Sequence, residues 1–301
     1  MSLLVTGTVG IDTVITPTGR ADDVLGGSAV YFSLAAAKFA PVRLVAVVGD
    51  DFPPAFCDVL ASKRIDPAGL ETREGSKTFR WTGKYLGDMN ERESLRTDLN
   101  VIAEGPPAIP PAFLDSDLVF LANTHPALQL NMRQQLPSAK LVVCDTMDLW
   151  INSEREALAR TLAAVHGVVI NDSEAIQLTG QTNVISAGRA VLAMGPRFVV
   201  VKKGAHGALL VTGDGVTAIP AYPAERVVDP TGAGDSFAGG MLGYLAAEGR
   251  FDYVTLRRAL IRGTVAASFT IEDFSVKRLQ SLSETELQQR IAEFTGMLAI
   301  G

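Results

Sequence analysis

The chain is poor in cysteine and has no long apolar run. Cys57 and Cys144 are its two cysteines, and neither belongs to a C-x-x-C pair, which excludes a disulfide framework and nearly excludes a structural zinc site. Charge, Gly or Pro interrupts every apolar stretch before the roughly 18 to 20 residues that a membrane-spanning helix needs. The first residues enter a strand-like run and lack the regions of a signal peptide. We therefore expect a cytoplasmic protein that has no membrane partner.

Positive charge is scarce as well. Lysine and arginine number 27 against 33 acidic residues, so the formal net charge is -6 with histidine neutral, and the sequence contains no basic stripe. A protein that binds nucleic acid by neutralising phosphates normally has a basic excess, so we expect no nucleic-acid partner. Hydrophobic residues make up 47% of the chain, which is enough for the buried core of a globular protein.

Short apolar runs alternate with segments of helical spacing. This alternation is typical of a doubly wound, mostly parallel α/β sheet, and strands that are apolar throughout indicate helices on both faces. We expect a single α/β domain over residues 1–301. The predicted strands are Leu3–Thr8, Leu44–Val48, Leu118–Leu121, Leu141–Cys144, Val168–Ile170 and Phe198–Val201. The predicted helices are Ser28–Phe39, Ala55–Lys63, Glu154–Val165, Ser186–Met194, Tyr253–Ile271 and Glu284–Leu298.

Two stretches, about residues 12–25 and 77–101, interrupt this alternation because neither has helical spacing. The second contains a rough strand-like alternation that ends at Tyr85 and is followed by a polar turn, Gly87–Asn90. We interpret the two stretches as antiparallel strands outside the main sheet, which form a small β lid with Trp81 and Tyr85 on its half-exposed face. An ordinary edge hairpin is the alternative.

The segment from Val227 to Gly240 is the most informative part of the sequence. Pro230 blocks the continuation of a helix, the glycines after it allow close backbone approach, and apolar residues then recur at helical spacing. A loop therefore turns into a helix here. The first N–H groups of a helix have no internal partner and lie at the positive end of its dipole. The backbone of Gly232, Ala233, Gly234 and Asp235 is thus predicted to bind an anion.

Asp235 allows two interpretations. A carboxylate in the first turn of a helix is favoured by the helix dipole alone, and this would account for most such aspartates. Beside an anion site, an ionised aspartate can also accept a proton from an attacking hydroxyl while N–H groups stabilise charge on a transferred phosphoryl group. The second interpretation needs the acid and the anion site together.

Competing motifs fail on inspection. Phe237 occupies the last position of the G-x-G-x-x-G match that begins at Gly232, so the dinucleotide fingerprint is broken. Gly213–Ala218 matches G-x-G-x-x-A, but its strand-like surroundings indicate a hairpin turn. No P-loop pattern exists. Gly234–Ala238 is close to the hydrolase pattern G-x-S-x-G, which needs a histidine after the serine. All the histidines precede Ser236: His125, His166 and His206.

The run from Asp229 to Asp235, D-P-T-G-A-G-D, resembles the second signature of the ribokinase-like, or PfkB, family of sugar and nucleoside kinases. The resemblance covers essentially the whole chain. It implies a ribokinase-like α/β fold with a small β lid, an ATP-dependent phosphotransferase that uses Mg²⁺, and a homodimer formed through the lid. The further matching features are Gly26-Gly27, Gly49-Asp50, Asn171-x-x-Glu174, Lys203-Gly204 with Gly207, and the terminal helical pair.

The resemblance also implies roles for individual residues. Asp235 would be the catalytic base, and Gly232, Ala233 and Gly234 would form the anion hole. Asp12 would bind hydroxyl groups of the acceptor, with a turn aspartate as the alternative. Gly26 and Gly27 would let the chain pass close to the acceptor and flex as the lid closes, with a plain tight turn as the alternative.

The remaining implied roles concern the nucleotide. Asn171 and Glu174 would organise the triphosphate and magnesium, with Glu174 as the metal-binding residue; Glu174 is equally explained as a first-turn acid of a helix. The other residues implied to contact the nucleotide are Lys203, Gly204, Gly207, Thr231, Ala266 and Ser268. For the last two, helix packing is the alternative.

The acceptor is less well defined. Members of the family that bind ribose commonly have an asparagine where this chain has Tyr31, so Tyr31 is a candidate substrate-binding residue. We expect phosphorylation of the primary hydroxyl of a sugar, with a nucleoside as the alternative acceptor. A non-catalytic small-molecule-binding protein of the same fold is the alternative from another class.

Overall fold

A computed structural model describes residues 1–61, 64–87 and 89–299. Within these residues, no helix is both long enough and apolar enough to cross a membrane. The strands are β1 Leu3–Thr6, β2 Gly10–Thr16, β3 Gly19–Gly26, β4 Val42–Gly49, β5 Ile65–Arg73, β6 Phe79–Leu86, β7 Glu91–Asp98, β8 Leu118–Leu121, β9 Leu141–Cys144, β10 Gly167–Asn171, β11 Phe198–Lys202, β12 Ala208–Thr212 and β13 Gly215–Ile219. The α-helices are α1 Ser28–Ala36, α2 Pro54–Leu60, α3 Pro126–Gln135, α4 Asp148–Ser153, α5 Arg155–Ala164, α6 Asp172–Thr179, α7 Val184–Leu192, α8 Ala233–Glu248, α9 Tyr253–Thr270, α10 Lys277–Ser281 and α11 Glu284–Leu298.

Nine strands form the main sheet in the order β13-β12-β11-β10-β9-β8-β1-β4-β5. Its neighbours are parallel from β5 to β11, and β12 and β13 are added antiparallel at one edge. The predicted doubly wound, mostly parallel sheet is confirmed. The turn predicted at Gly213 joins β12 to β13, also as expected.

The main sheet is covered on both faces, as its uniformly apolar strands predict. All four residues of β1, β8 and β9 are buried. Successive residues alternate between two apolar clusters, so that Leu3 and Val5 pack on the face with α1, α8 and α9, whereas Leu4 packs on the other. These two clusters hold the strands in place, and the strand ends thereby become a fixed platform.

Helix α8 lies unusually close to α1. A Cβ on Gly239 would overlap the carbonyl oxygen of Phe32, and a Cβ on Gly243 would come within 2.7 Å of that of Ala36. Glycine at these two positions lets the backbones meet, and the contact places the first turn of α8 beside Tyr31 of α1.

The other four strands form a second, small sheet in the order β3-β2-β6-β7. The pairs β2–β3 and β6–β7 are antiparallel, but β2 and β6 run parallel, so the expectation of antiparallel strands throughout is wrong. The two strands within each hairpin are antiparallel. The two hairpins are distant in sequence, and they join through the parallel pair β2–β6. Asp12 is in register with Trp81, so their side chains share one face.

Most predicted elements match, with differences at their ends. Strand β1 stops at Thr6, and α1 stops at Ala36. The carboxyl end predicted for α2, at residues 62–63, and residue 88 of the polar turn lie outside the described residues. Strand β5 was not predicted, because Pro67 and several polar residues break its pattern.

Candidate active site

The carboxyl ends of β9, β10 and β11 meet at one edge of the main sheet, because parallel neighbours end on the same side. Asp145 follows β9, Glu174 lies in the first turn of the helix after β10, and Lys202 ends β11. We call these three residues the strand-end cluster. Within it, Lys202 Nζ lies 3.4 Å from Asp145 Oδ2.

A second element, residues 229–235, reaches the same edge, and we call it the α8 turn. Gly232 is the N-cap of α8 with φ 74°, and the first helical bond runs from Ser236 N–H to its carbonyl at 2.8 Å. The buried Asp229 carboxylate accepts N–H bonds from Thr231 at 2.8 Å and Ser275 at 3.1 Å, which fixes the turn. The Ala233 N–H, predicted for the anion, donates to the Pro230 carbonyl within the turn at 3.2 Å.

The glycines of the α8 turn admit two side chains at close range. A Cβ on Gly232 would overlap the ring of Tyr31, and a Cβ on Gly234 would lie 2.8 Å from Lys202 Nζ. Tyr31 from α1 and Lys202 from β11 thus pack against the α8 turn. Glycine is required at 232 twice over, for its left-handed backbone and for this space.

Asp235 lies partly buried beside the strand-end cluster. Burial raises the pKa of Asp235 to about 7; Asp145 adds to the rise, and the positive charges of Lys202 and Arg92 oppose it. Burial and Asp145 likewise raise the pKa of Glu174 to about 7. A carboxyl group that titrates near neutrality and lies beside free helix N–H groups is suited to accept a proton at physiological pH.

Asn171 and Glu174 form a capping box at the start of α6. Asn171 Oδ1 accepts the Glu174 N–H at 2.7 Å, and Glu174 Oε2 accepts the Asn171 N–H at 2.9 Å. Glu174 therefore acts as a first-turn acid of α6, which was the alternative to magnesium binding. Magnesium binding by Glu174 stays a prediction. The described residues contain no group of three or more His, Cys, Asp or Glu that could hold a metal ion. Because Mg²⁺ commonly uses one or two carboxylates together with water and phosphate oxygens, Asp145 and Glu174 are donors of a suitable kind.

Asp12 and Tyr31 lie on the other side of the α8 turn, and we call them the buried pair. Asp12 Oδ1 and the Tyr31 hydroxyl are buried and have no hydrogen-bond partner among the described residues. Burial raises the pKa of Asp12 to about 7, and the charges of Asp229 and Asp235 add to the rise. A Cβ on Gly26 would overlap the Asp12 carboxylate, and Gly27 has φ 101°, so this di-glycine makes room for the acid.

The small sheet contacts the α8 turn directly. The Thr231 hydroxyl donates to the Tyr85 hydroxyl of β6 at 3.2 Å. Arg92 of β7 is in register with Tyr85, and its guanidinium lies 5.8 Å from the centroid of the Trp81 ring. Thr231, implied to contact nucleotide, is thus engaged with the small sheet.

For the other residues implied to bind nucleotide, the hydrogen bonds and packing contacts described next are made with residues outside the strand-end cluster. The Lys203 N–H donates to the Gly207 carbonyl at 2.7 Å, and Gly204 and Gly207 have φ 52° and 83°, so residues 203–207 close into a tight loop. Ala266 packs against Gly240 of α8. Ser268 donates to the Val265 carbonyl and accepts from Arg290. Ala266 and Ser268 thus make helix contacts, and their adenine contact stays a prediction.

Sequence reasoning missed Asp145, Lys202 and Arg92 as site residues. The signal for Lys202 was available, since a lysine ending the apolar run FVVVK must carry its charge to the edge of the sheet. Arg92 lies in a strand of mostly exposed polar residues, where nothing in the pattern distinguishes it.

The model of the pfkB family of carbohydrate kinases matches residues 20–281. The chain belongs to this family. It is 33% identical over 248 residues to a cytidine kinase of Thermococcus kodakarensis, covering 80% of this chain and 87% of that protein. Among solved structures, a nucleoside kinase of Burkholderia thailandensis in complex with inosine is similar with a TM-score of 0.78 and 19% identity over 98% of this chain and 99% of that one. A putative ribokinase II of E. coli in complex with ATP and Mg²⁺ has a TM-score of 0.80 and 18% identity over 97% and 99%.

These likenesses confirm the ribokinase-like fold and the kinase activity expected from the sequence. This pfkB-family protein is a sugar or nucleoside kinase.

Proposed function

We propose that this kinase transfers the γ-phosphoryl group of ATP to the primary hydroxyl of a nucleoside, with Asp235 as the general base. The observation that carries the proposal is the position of Asp235, which lies partly buried at the α8 turn between the strand-end cluster and the buried pair. A phosphoryl group held at the α8 turn and a hydroxyl held by the buried pair would both lie next to this acid.

The reaction needs one proton acceptor and a set of groups for negative charge. Asp235 takes the proton of the attacking hydroxyl while the hydroxyl oxygen bonds to the γ-phosphorus of ATP. The bond between the γ-phosphorus and the oxygen that bridges it to the β-phosphate breaks, and ADP leaves. The N–H groups of Gly232 and Gly234 stabilise charge on the phosphoryl oxygens. Magnesium, held through Glu174 and Asp145, would neutralise the triphosphate. Alignment of the two reactants supplies much of the rate gain.

Two observations support a nucleoside as the acceptor. Trp81 is in register with Asp12 and shares its face of the small sheet. Its indole ring lies over Gly83 and donates to Ser94 Oγ at 3.0 Å, so an aromatic ring occupies the same face as the acid that is proposed to bind the acceptor. Stacking of a base on an aromatic ring contributes about 1–3 kcal/mol. The cytidine kinase at 33% identity is the second observation. The free sugar favoured from the sequence is the competing acceptor.

The test measures release of ADP with MgATP and a panel of pyrimidine nucleosides, purine nucleosides, ribose and fructose. We expect kcat/KM for the best nucleoside to exceed that for ribose by about 10²-fold, since stacking at Trp81 is lost without a base. Phosphorus NMR should place the new phosphate on the primary hydroxyl. Equal or better use of a free sugar would show that the acceptor is not a nucleoside.

Trp81 itself provides the sharper comparison. Trp81→Ala should lower kcat/KM for the nucleoside about 10-fold or more and leave the slow reaction with ribose unchanged, whereas Trp81→Phe should retain most of the nucleoside activity. A loss that is equal for ribose and nucleoside would mean that Trp81 supports the sheet and not the base.

A further inference from the structure

Lys202 carries a partly buried ammonium group with spare hydrogen-bonding capacity. Its side chain is 17% exposed, and among the described residues its one hydrogen bond runs to Asp145 Oδ2 at 3.4 Å. An ammonium has three N–H donors, and buried donors are normally satisfied. Two donors of Lys202 are therefore available to an acceptor that the protein does not supply.

The position of Lys202 indicates which acceptor that is. Nζ lies 2.8 Å from the place where a Cβ on Gly234 would stand, so the ammonium lies against the first turn of α8. The N–H groups of Gly232 and Gly234, unlike that of Ala233, are available to an anion. An oxyanion held by the α8 turn would meet the ammonium, and both would lie beside Asp235.

Charge around the ammonium supports this arrangement. The carboxyl groups of Asp145, Glu174 and Asp235 all lie close to the Lys202 ammonium. Three carboxyl groups would otherwise repel an incoming phosphate. A cation at this place offsets that repulsion.

We propose that Lys202 binds the terminal phosphoryl group of the donor nucleoside triphosphate, on the opposite side from the glycine N–H groups of the α8 turn. It contacts the group that is transferred, because the acid proposed to activate the acceptor lies beside it. This inference rests on the proposed function for the identity of the donor. It adds a phosphate-binding residue to the site, one position before the Lys203 that the sequence indicated.

The competing interpretation makes Lys202 a structural partner of Asp145 and nothing more. In that case its loss would destabilise the fold and change the binding of every nucleotide equally. If Lys202 contacts the terminal phosphoryl group, its loss instead weakens the binding of a triphosphate and not that of a diphosphate. The two interpretations therefore predict different ratios of the affinity for a triphosphate to the affinity for a diphosphate.

Removing Lys202 alone would leave the Asp145 carboxylate without its ionic partner, which is strongly destabilising, whereas in Asp145→Asn the ammonium keeps the charges of Glu174 and Asp235 beside it. We therefore compare Asp145→Asn with the double variant Asp145→Asn/Lys202→Met. Calorimetry without acceptor measures the affinity of each for the β,γ-imido analogue of ATP and for ADP, both with magnesium. We expect the double variant to bind the analogue about 10- to 100-fold more weakly than Asp145→Asn does, with ADP affinity changed less than threefold.

Lys140→Met is the matched control, because Lys140 also pairs with an aspartate, Asp117, at 2.8 Å, but precedes β9 at the opposite edge of the sheet. It should bind both nucleotides as the unmodified protein does. Equal weakening of analogue and ADP in the double variant, or no weakening, would overturn the proposal.

Should the double variant fail to fold, the unmodified protein gives the answer. Reductive methylation followed by peptide mass mapping measures how fast Lys202 reacts with analogue or ADP bound. Protection by the analogue beyond that by ADP supports the proposal, and equal protection contradicts it. Neither experiment uses an acceptor, so a panel that yields no phosphorylated nucleoside would overturn the proposed function while leaving this result to stand or fall by itself.

Discussion

The strand-end cluster and the buried pair lie on two sides of the α8 turn and differ in how their polar atoms are satisfied. In the strand-end cluster, Lys202 pairs with Asp145, and Glu174 is bonded within its capping box. In the buried pair, Asp12 Oδ1 and the Tyr31 hydroxyl have no partner among the described residues. Each such atom costs about 1–3 kcal/mol, which a ligand that pairs it recovers. Each charged group of the strand-end cluster thus has one protein partner before a ligand binds, and the two further donors of Lys202 are left for the phosphoryl group. In the buried pair, two atoms have no partner until the acceptor binds.

The largest expected effect is that of Asp235→Asn, which keeps the shape of the side chain but cannot accept the proton. Turnover should fall about 10²- to 10⁴-fold, the usual range for a general base, with ATP affinity nearly unchanged. A coupled assay of ADP release with the best acceptor measures it.

Asp252→Asn is the control for that variant, because Asp252 is the N-cap of α9 and bonds the Thr255 N–H at 3.0 Å. It should leave turnover unchanged. If Asp235→Asn turns over at nearly the unmodified rate, the acid belongs to the helix dipole and not to the reaction.

Gly232→Ala tests whether the α8 turn joins the two groups of residues. The new Cβ would overlap the Tyr31 ring in a backbone conformation that alanine disfavours, so the turn and the buried pair should shift together. We expect kcat/KM to fall about 10²-fold, since small displacements of aligned reactants have effects of this size. Activity and thermal unfolding are both measured.

The matched control is Gly180→Ala at the end of α6. Gly180 has φ 70°, nearly that of Gly232, but a Cβ there has nothing within 4 Å. This variant should lose about 1 kcal/mol of stability from the backbone alone and keep its activity. Equal activity in the two variants would show that the α8 turn tolerates displacement.

Activity and stability should respond to pH in opposite directions. Because Asp235 is the base and burial raises its pKa to about 7, kcat/KM should rise about tenfold per unit up to pH 7 and then level off. The charged groups around it are Asp145, Glu174, Lys202 and Arg92.

For stability, the folded chain holds protons on Asp12, Glu174 and Asp235 that the unfolded chain has lost. Their contribution to the free energy of unfolding therefore decreases as pH rises from about 4 to 7. Thermal unfolding of Asp12→Asn should show a smaller decrease over this window than the unmodified protein does. An unchanged slope would place Asp12 outside the buried environment.

The smallest effect is expected for Tyr31→Phe, and its sign is informative. Removing an unpaired buried hydroxyl should raise the free energy of unfolding or leave it unchanged, whereas KM for the acceptor should rise about five- to tenfold. Tyr253→Phe is the contrast, because the Tyr253 hydroxyl bonds to Thr217 at 2.6 Å. That variant should lose stability and keep its KM. A stabilised Tyr31→Phe with unchanged KM would remove Tyr31 from the acceptor site.

How far the sequence predicts the structure differs between the two sheets. Strands β8 and β9 agree to the residue, because a run that is apolar throughout can only be buried on both faces of a parallel sheet. The parallel pairing of β2 with β6 was not predictable, since it joins two hairpins about 70 residues apart. Register between such strands depends on long-range packing that no local pattern encodes.

The same limit applies to the candidate site. The motif at 229–235 located the helix start, because proline and glycine act on their own backbone. It could not locate Lys202, whose importance comes from its distance to Gly234, a residue on another element. The unpartnered state of the buried pair is likewise a property of the assembled fold.

The bond between Thr231 and Tyr85 couples the small sheet to the α8 turn. A displacement of the small sheet away from the α8 turn breaks this bond next to Gly232. Loss of the ligand held by the small sheet therefore loosens the α8 turn, where the nucleotide is proposed to bind. By thermodynamic reciprocity, a compound that holds the small sheet in place must tighten nucleotide binding by the same factor by which nucleotide tightens its own. Acceptor and donor are then expected to increase each other's affinity. The dead-end complex of the protein with acceptor and ADP should therefore form at lower ligand concentrations than the complex with acceptor alone or with ADP alone.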